Sequence, residues 1–172
     1  SYGTIYFCIL WNLGSSELIL NNSPSFLVLR SLVKKAPVLP SYTGYDLIIG
    51  LEPKFLNYPI DLHLSSTSPC INYEYASLAD GTAISGDFDN TARGKGNAYD
   101  MGAYEFDQAQ CPVISRVYID AAANGSNMGP DWSNAFKFIE DGLNFANACP
   151  NVNEVWIAEG LYKPDIISVR EH

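Results

Sequence analysis

Short apolar bursts separated by turn-forming clusters run from Thr4 to Leu64. The bursts are Thr4–Leu10, Glu17–Leu20, Phe26–Val33, Asp46–Ile49 and Asp61–Leu64, and between them stand Asn12–Ser16, Asn21–Pro24 and Pro40–Gly44. None has the length or the 3.6-residue spacing of a good helix, so each reads as a strand. Phe26–Arg30 and Asp61–Leu64 alternate in part, as strands with one buried and one wet face do. Residues 65–107 are richer in turns, with an acidic, glycine-bearing loop from Asp80 to Asp100 that closes on Met101–Phe106. After a stretch at 108–115 that reads as a linker, the order of elements changes. Arg116–Asp120 predicts a strand, and Ala121–Asp131 is small and turn-rich, with Asn124-Gly125 favouring positive φ. Asn134–Ala148 predicts an amphipathic helix, because Ala135, Phe138, Ile139, Gly142, Leu143 and Ala146 fall on one stripe. Ser133 or Asn134 is its expected N-cap, and Pro150 lies just past its end. Glu154–Ala158 predicts a closing strand before Gly160.

These segments carry a resemblance. Cys8–Asn12, Ser31–Val33, Glu52–Leu56, Asp61–Asn72, Asp87–Arg93 and Asp100–Phe106 resemble the end of secreted right-handed parallel β-helix repeat proteins. This is the pectate-lyase-like superfold, of the type common in the Bacteroidetes. Val117–Asp120, Gly125–Gly129, Trp132–Phe136 and Val155–Pro164 resemble the start of another such unit. One departure is that Asn90 and Ala92 stand where the family has Gly and Pro ahead of its Arg. The resemblance implies a mainly β fold. Right-handed parallel β-helix (solenoid) coils and a closing loop would occupy 1–107, followed by a linker at 108–115. A strand–helix–strand cap of a second β-helix unit would occupy 116–172. Such coils bury their apolar faces only against stacked neighbours, so the second part is expected to be marginal unless it packs on the first. Ser1 opens the chain with no basic segment ahead of an apolar run, which points to an internal piece of a longer protein.

Charge sharpens the picture. Ten basic and 19 acidic residues give a formal net charge of −9. Residues 1–73 are balanced, so the whole excess sits in 74–172. An acidic surface argues against nucleic acid and against anionic membranes, and no segment has the length to span a bilayer. The 47% hydrophobic and 17% charged composition belongs to a folded chain. Cys8, Cys70, Cys111 and Cys149 are far apart, with no CxxC and no His/Cys cluster that would hold zinc. Their spacing allows one or two disulfides in an oxidising compartment, equally allows buried thiols, and leaves the pairing open.

Candidate chemistry is sparse. Asp87, Asp89, Asp100 and Glu105 carry hard oxygen ligands suited to Ca²⁺, but Ala92 and Ala98 stand where an EF-hand needs Gly and Glu. Capping of turns and pairing with Arg93 is the favoured role of these carboxylates. No cofactor is called for. Acids in 1–73 are scattered, Lys34-Lys35 reads as a solvated turn, and no motif supports a lyase or glycosidase centre, so no catalytic residue is assigned. His63, between Leu62 and Leu64, reads as an outward strand residue and not a ligand. Trp132 and Trp156 read as core. Tyr42 and Tyr45, in a Pro/Gly turn, are the candidates for exposed sugar stacking. The expected function is a non-catalytic, adhesin-like or carbohydrate-contacting scaffold within a large secreted or cell-surface protein. Its expected partners are a polysaccharide or a host or matrix glycan, together with neighbouring units of the same chain. The alternative is the terminal part of a polysaccharide lyase or glycoside hydrolase whose catalytic coils lie elsewhere.

Overall fold

The computed structural model describes residues 3–6, 8–11, 26–34, 42–45, 47–73, 85–96 and 98–163. Three segments in succession each supply a longer strand and then a two-residue strand. They are β1 (Gly3–Tyr6) with β2 (Ile9–Leu10), β3 (Phe26–Leu29) with β4 (Leu32–Val33), and β5 (Tyr42–Tyr45) with β6 (Ile48–Ile49). The long strands stack in parallel in the order β1-β3-β5 and the short ones in the order β2-β4-β6. At each corner the chain turns from one sheet to the other. Arg30 adopts φ 48° there, and buried Ser31 accepts from the Cys8 amide at 3.1 Å. Backbone bonds from Leu32 to the Cys8 carbonyl (2.9 Å) and from Ile48 to the Ser31 carbonyl (3.0 Å) carry the ladder across the corner.

The chain then reverses. β7 (Phe55–Asn57) and β8 (Asp61–Leu64) form an antiparallel hairpin. Beyond the loops of 85–107 and a 3₁₀ turn at Gln108–Gln110 come β9 (Arg116–Ile119), α1 (Ile139–Ala148) and β10 (Glu154–Ile157). β10 pairs in parallel with β9 over all four residues. The amides of Glu154 and Ala158 both point toward β9, so those of Val155 and Ile157 face the other way, where no described strand lies.

This architecture corrects the expected right-handed parallel β-helix. The strands of the described residues fall into four separate sheets of two or three strands, none of which closes or continues as a solenoid. The physical reason lies in the hairpin at 55–64. An antiparallel pair ends a parallel ladder, and beyond it the parallel pairing among the described residues is limited to β9–β10 and the Ile119–Phe136 bridge.

The helix also differs from its expected span. It begins at Ile139, with Phe138 at the N-cap position and no side-chain cap. Residues 134–138 are recruited elsewhere: Phe136 bridges to Ile119 in parallel, and its amide donates to the Tyr118 carbonyl at 2.9 Å. The buried face of α1 is Asp141, Gly142, Phe145 and Ala148, while Leu143 is half exposed.

One buried cluster runs through the linker region. Leu32, Ile48, Leu64, Cys70, Ile71, Met101 and Phe106 pack with Val117, Ile119, Phe136, Phe145, Ala148, Cys149 and Val152. Polar bonds seat α1 on the earlier segments. Asn144 and Asn147 donate to the carbonyls of Thr67 (3.2 Å) and Ile71 (3.1 Å), and Lys54 pairs with Asp141. Cys111 and Cys149 form a disulfide.

Candidate functional site

Strand alternation builds an aromatic face on the β9–β10 sheet. In β9, Val117 and Ile119 point inward and are fully buried, which turns Arg116 and Tyr118 outward. The β9–β10 register sets Glu154 opposite Arg116 and Trp156 opposite Tyr118. Trp132, from the loop between β9 and α1, stands on the other side of Tyr118. The three rings form a row, with Trp132–Tyr118 and Tyr118–Trp156 centroids 4.7 and 5.9 Å apart at 65° and 68°. Both tryptophans keep more than two fifths of their surface in water. Neither is core, contrary to the sequence reading.

The loop that presents Trp132 is tightly held. Asn134 donates from its amide to both carboxylate oxygens of Asp131 and accepts from the Ser126 backbone at 3.0 Å. Those bonds hold the Asp131 carboxyl below its usual range. Asn127 accepts from the Lys137 amide at 2.8 Å, and the Gly129 carbonyl takes the Tyr118 amide at 2.9 Å. Gly129 is required here: its φ is +81°, and a Cβ would fall 2.4 Å from the Phe136 ring.

Electrostatics on this face close on themselves. The Arg116 guanidinium lies 3.9 Å over the Trp156 ring, and its Nε donates to Glu154 Oε2 at 2.6 Å. The same oxygen accepts from the Trp156 indole at 2.9 Å. Bonding to the partner holds Arg116 above its ordinary pKa and Glu154 below its own. The face therefore combines three rings with one internally neutralised ion pair.

A second constellation surrounds His63. Its Nδ1 lies 2.6 Å from Asp61 and its Nε2 3.0 Å from Asp89, while its ring rests 4.0 Å from the Tyr104 ring centroid. Two carboxylate acceptors require two N–H donors, which is the imidazolium form. The Asp61 bond accordingly raises the His63 pKa, and backbone and side-chain bonds from His63 lower that of Asp61. A polar cavity of about 190 Å³ adjoins, lined by His63, Asp87, Asp89, Thr91, Glu105 and Gln110 among others. With both ring nitrogens occupied, His63 has no free lone pair to serve as a base. The arrangement ties the acidic loop to β8.

The acidic loop itself is structural. Asp87 accepts from the amides of Asp89, Thr91 and Glu105, which hold its pKa low against burial. Glu105 takes the Gly94 and Asp100 amides and pairs with Arg93 at 3.0 Å, both side chains being buried. Asp100 accepts from Asn72 and Phe106, yet burial pushes its pKa up to about 7. Asp87, Asp100 and Glu105 thus cap turns, with Arg93 paired to Glu105, as the sequence favours; Asp89 instead meets His63. Among the described residues no group of three or more His, Cys, Asp or Glu is arranged to hold a metal ion. No helix among them is long and apolar enough to cross a membrane.

Tyr42 and Tyr45, the stacking candidates from sequence, are the first and last residues of β5 and not members of a turn. Their side chains lie outside the described residues. The Trp132–Tyr118–Trp156 row escaped the sequence reading, although a signal was present: Arg-Val-Tyr-Ile and Glu-Val-Trp-Ile alternate so that each aromatic shares a face with a charge. No protein-family model matches the chain, and no curated protein or solved structure matches it either.

Proposed function

We propose that the chain is a non-catalytic, carbohydrate-contacting segment of a secreted or cell-surface protein, an adhesin-like scaffold. The observation that carries this reading is the exposed row Trp132–Tyr118–Trp156 on the β9–β10 sheet. Aromatic rings with an apolar face and a polar edge suit ligands that combine C–H faces with hydroxyls. A rigid sheet and a tethered loop spare the ordering entropy that a flexible loop would spend on binding. The Cys111–Cys149 disulfide supports an oxidising, extracellular setting.

Affinity electrophoresis through gels containing soluble polysaccharides tests the reading. Retardation by at least one glycan, with no release of reducing ends or unsaturated products, is the expected result. The W132A/W156A variant is expected to lose the retardation while keeping its circular dichroism spectrum. Migration unaffected by every polysaccharide, or retardation that survives the double substitution, overturns it.

A further inference from the structure

We propose that the Trp132–Tyr118–Trp156 face selects neutral glycans and rejects uronic and sulfated ones, with the Arg116–Glu154 pair as the selecting element. This rests on the carbohydrate-contacting reading above and narrows it to a ligand class.

Charge and open hydrogen-bonding positions on the Arg116–Glu154 pair set the ligand class. Arg116 is the cation that lies on the aromatic row, and a carboxylate or sulfate ligand would bind to its fork. Part of that fork is engaged, and its charge is already matched: Nε donates to Glu154 Oε2 at 2.6 Å and Nη1 reaches the Tyr118 hydroxyl at 3.5 Å. An anionic sugar seated on Trp156 would have to displace Glu154 from Arg116 or lie against its carboxylate. The surroundings add to the penalty, since residues 116–163 hold six acidic and three basic side chains. A neutral sugar meets no such cost. Glu154 Oε2 accepts from both Arg116 and the Trp156 indole, while Oε1 has no partner among the described residues and is free to accept a hydroxyl. Arg116 Nη2 likewise has no described partner and is free to donate to one. The pair therefore offers one acceptor and one donor at the edge of the ring row, at no net charge. Both side chains are partly exposed, 34% for Arg116 and 46% for Glu154, so a ligand on Trp156 can reach them.

The test uses the whole chain in affinity electrophoresis and calorimetry against laminarin, hydroxyethyl cellulose and galactomannan as neutral probes. Polygalacturonate, alginate and heparin serve as anionic probes, each at low and high NaCl. The expected result is binding to at least one neutral probe, unchanged within about twofold by salt because no ion pair forms with the ligand, and none to the anionic probes. E154Q releases Arg116 from its anion. It is expected to weaken the neutral probe about tenfold, the loss associated with one hydrogen bond to a charged acceptor, and to gain salt-sensitive binding of polygalacturonate. R116Q is expected to weaken the neutral probe without gaining the anionic one, which separates loss of the pair from release of a cation. Wild-type preference for an anionic probe with salt-sensitive affinity overturns the selectivity and leaves the carbohydrate reading standing. So does an E154Q variant that retains its fold and gains no anion binding. If no probe of either class binds, the carbohydrate reading itself falls.

Discussion

His63 shows how much a single side chain's partners change its meaning. Sequence alternation in Asp61–Leu64 predicts that it faces outward; it is part-exposed, but so is Leu62 beside it, and Asp89 is 26 residues away in sequence, with nothing in that spacing to announce the bond. The pair Asp61–Asp89, with the Tyr104 ring against the imidazole and Asp87 and Glu105 across the cavity, favours the cation. A raised His63 pKa contributes stability that is complete below about pH 6.5, the unfolded value, and that is lost as pH rises through the folded value. The lowered Asp61 pKa sets the acid side: its share is present above about pH 4 and disappears as pH falls through the folded value. A proton NMR titration is expected to place the His63 midpoint above 6.5, and a midpoint at or below it removes the clasp. Arg93 presents the opposite case, legible in kind from sequence. The turn caps and the Arg93 pairing follow from the residue types Asp and Glu among glycines, which satisfy backbone amides wherever turns leave them unpaired. Arg93→Ala strands the buried Glu105 carboxylate and is expected to cost about 3–5 kcal/mol in urea denaturation, with E105Q costing less. Equal losses from the two variants would deny the charge argument.

At the level of elements, short apolar bursts between turn residues located most of the described strands. However, β5 was hidden in the expected Pro40–Gly44 turn and β7 stood in no burst, while the strand expected at Glu17–Leu20 lies outside the described residues. The sequence pattern misplaced the start of α1 by five residues. Of the stripe expected at 134–138, Ala135 is buried but Phe138 is 42% exposed, while Phe136, off the stripe, buries its ring against Phe145 and pairs its backbone with β9. Tertiary pairing outweighed propensity there. Asn134, expected to cap the helix, instead organises the loop that carries Trp132. The face α1 turns inward is set by Gly142, where a Cβ would lie 2.5 Å from Ile119 Cδ1. Ala at a helix interior ordinarily gains up to about 1 kcal/mol over Gly. Here overpacking against a fully buried Ile119 is expected to outweigh that gain, leaving G142A about 1–3 kcal/mol less stable. The double variant G142A/I119V, which removes the clashing methyl, is expected to recover part of the loss. A stabilised single variant would mean that α1 does not press on β9.

The molecule as a whole is joined more closely than its sequence suggests. Charge asymmetry and the turn-rich 108–115 segment mark a boundary, and the apolar positions on each side carry no sign of which partners they meet. In the structure they share one buried cluster, and the disulfide closes a loop of 38 residues from Cys111 to the end of α1. Unfolding by urea is accordingly expected to be a single transition, with ellipticity and tryptophan fluorescence coincident; two separated transitions would contradict the shared core. Reduction is expected to lower stability by about 2–4 kcal/mol without splitting that transition. The outer edge of β10 has a consequence of another kind. Its row of amides and carbonyls at Val155 and Ile157, without a strand partner among the described residues and beside an Ile157 that is 48% exposed, is a template on which extended chains add. Glu154, at one end of that row, is already neutralised by Arg116, which leaves Glu159 as the charge beside it. High protein concentration is therefore the condition under which this chain forms intermolecular sheet.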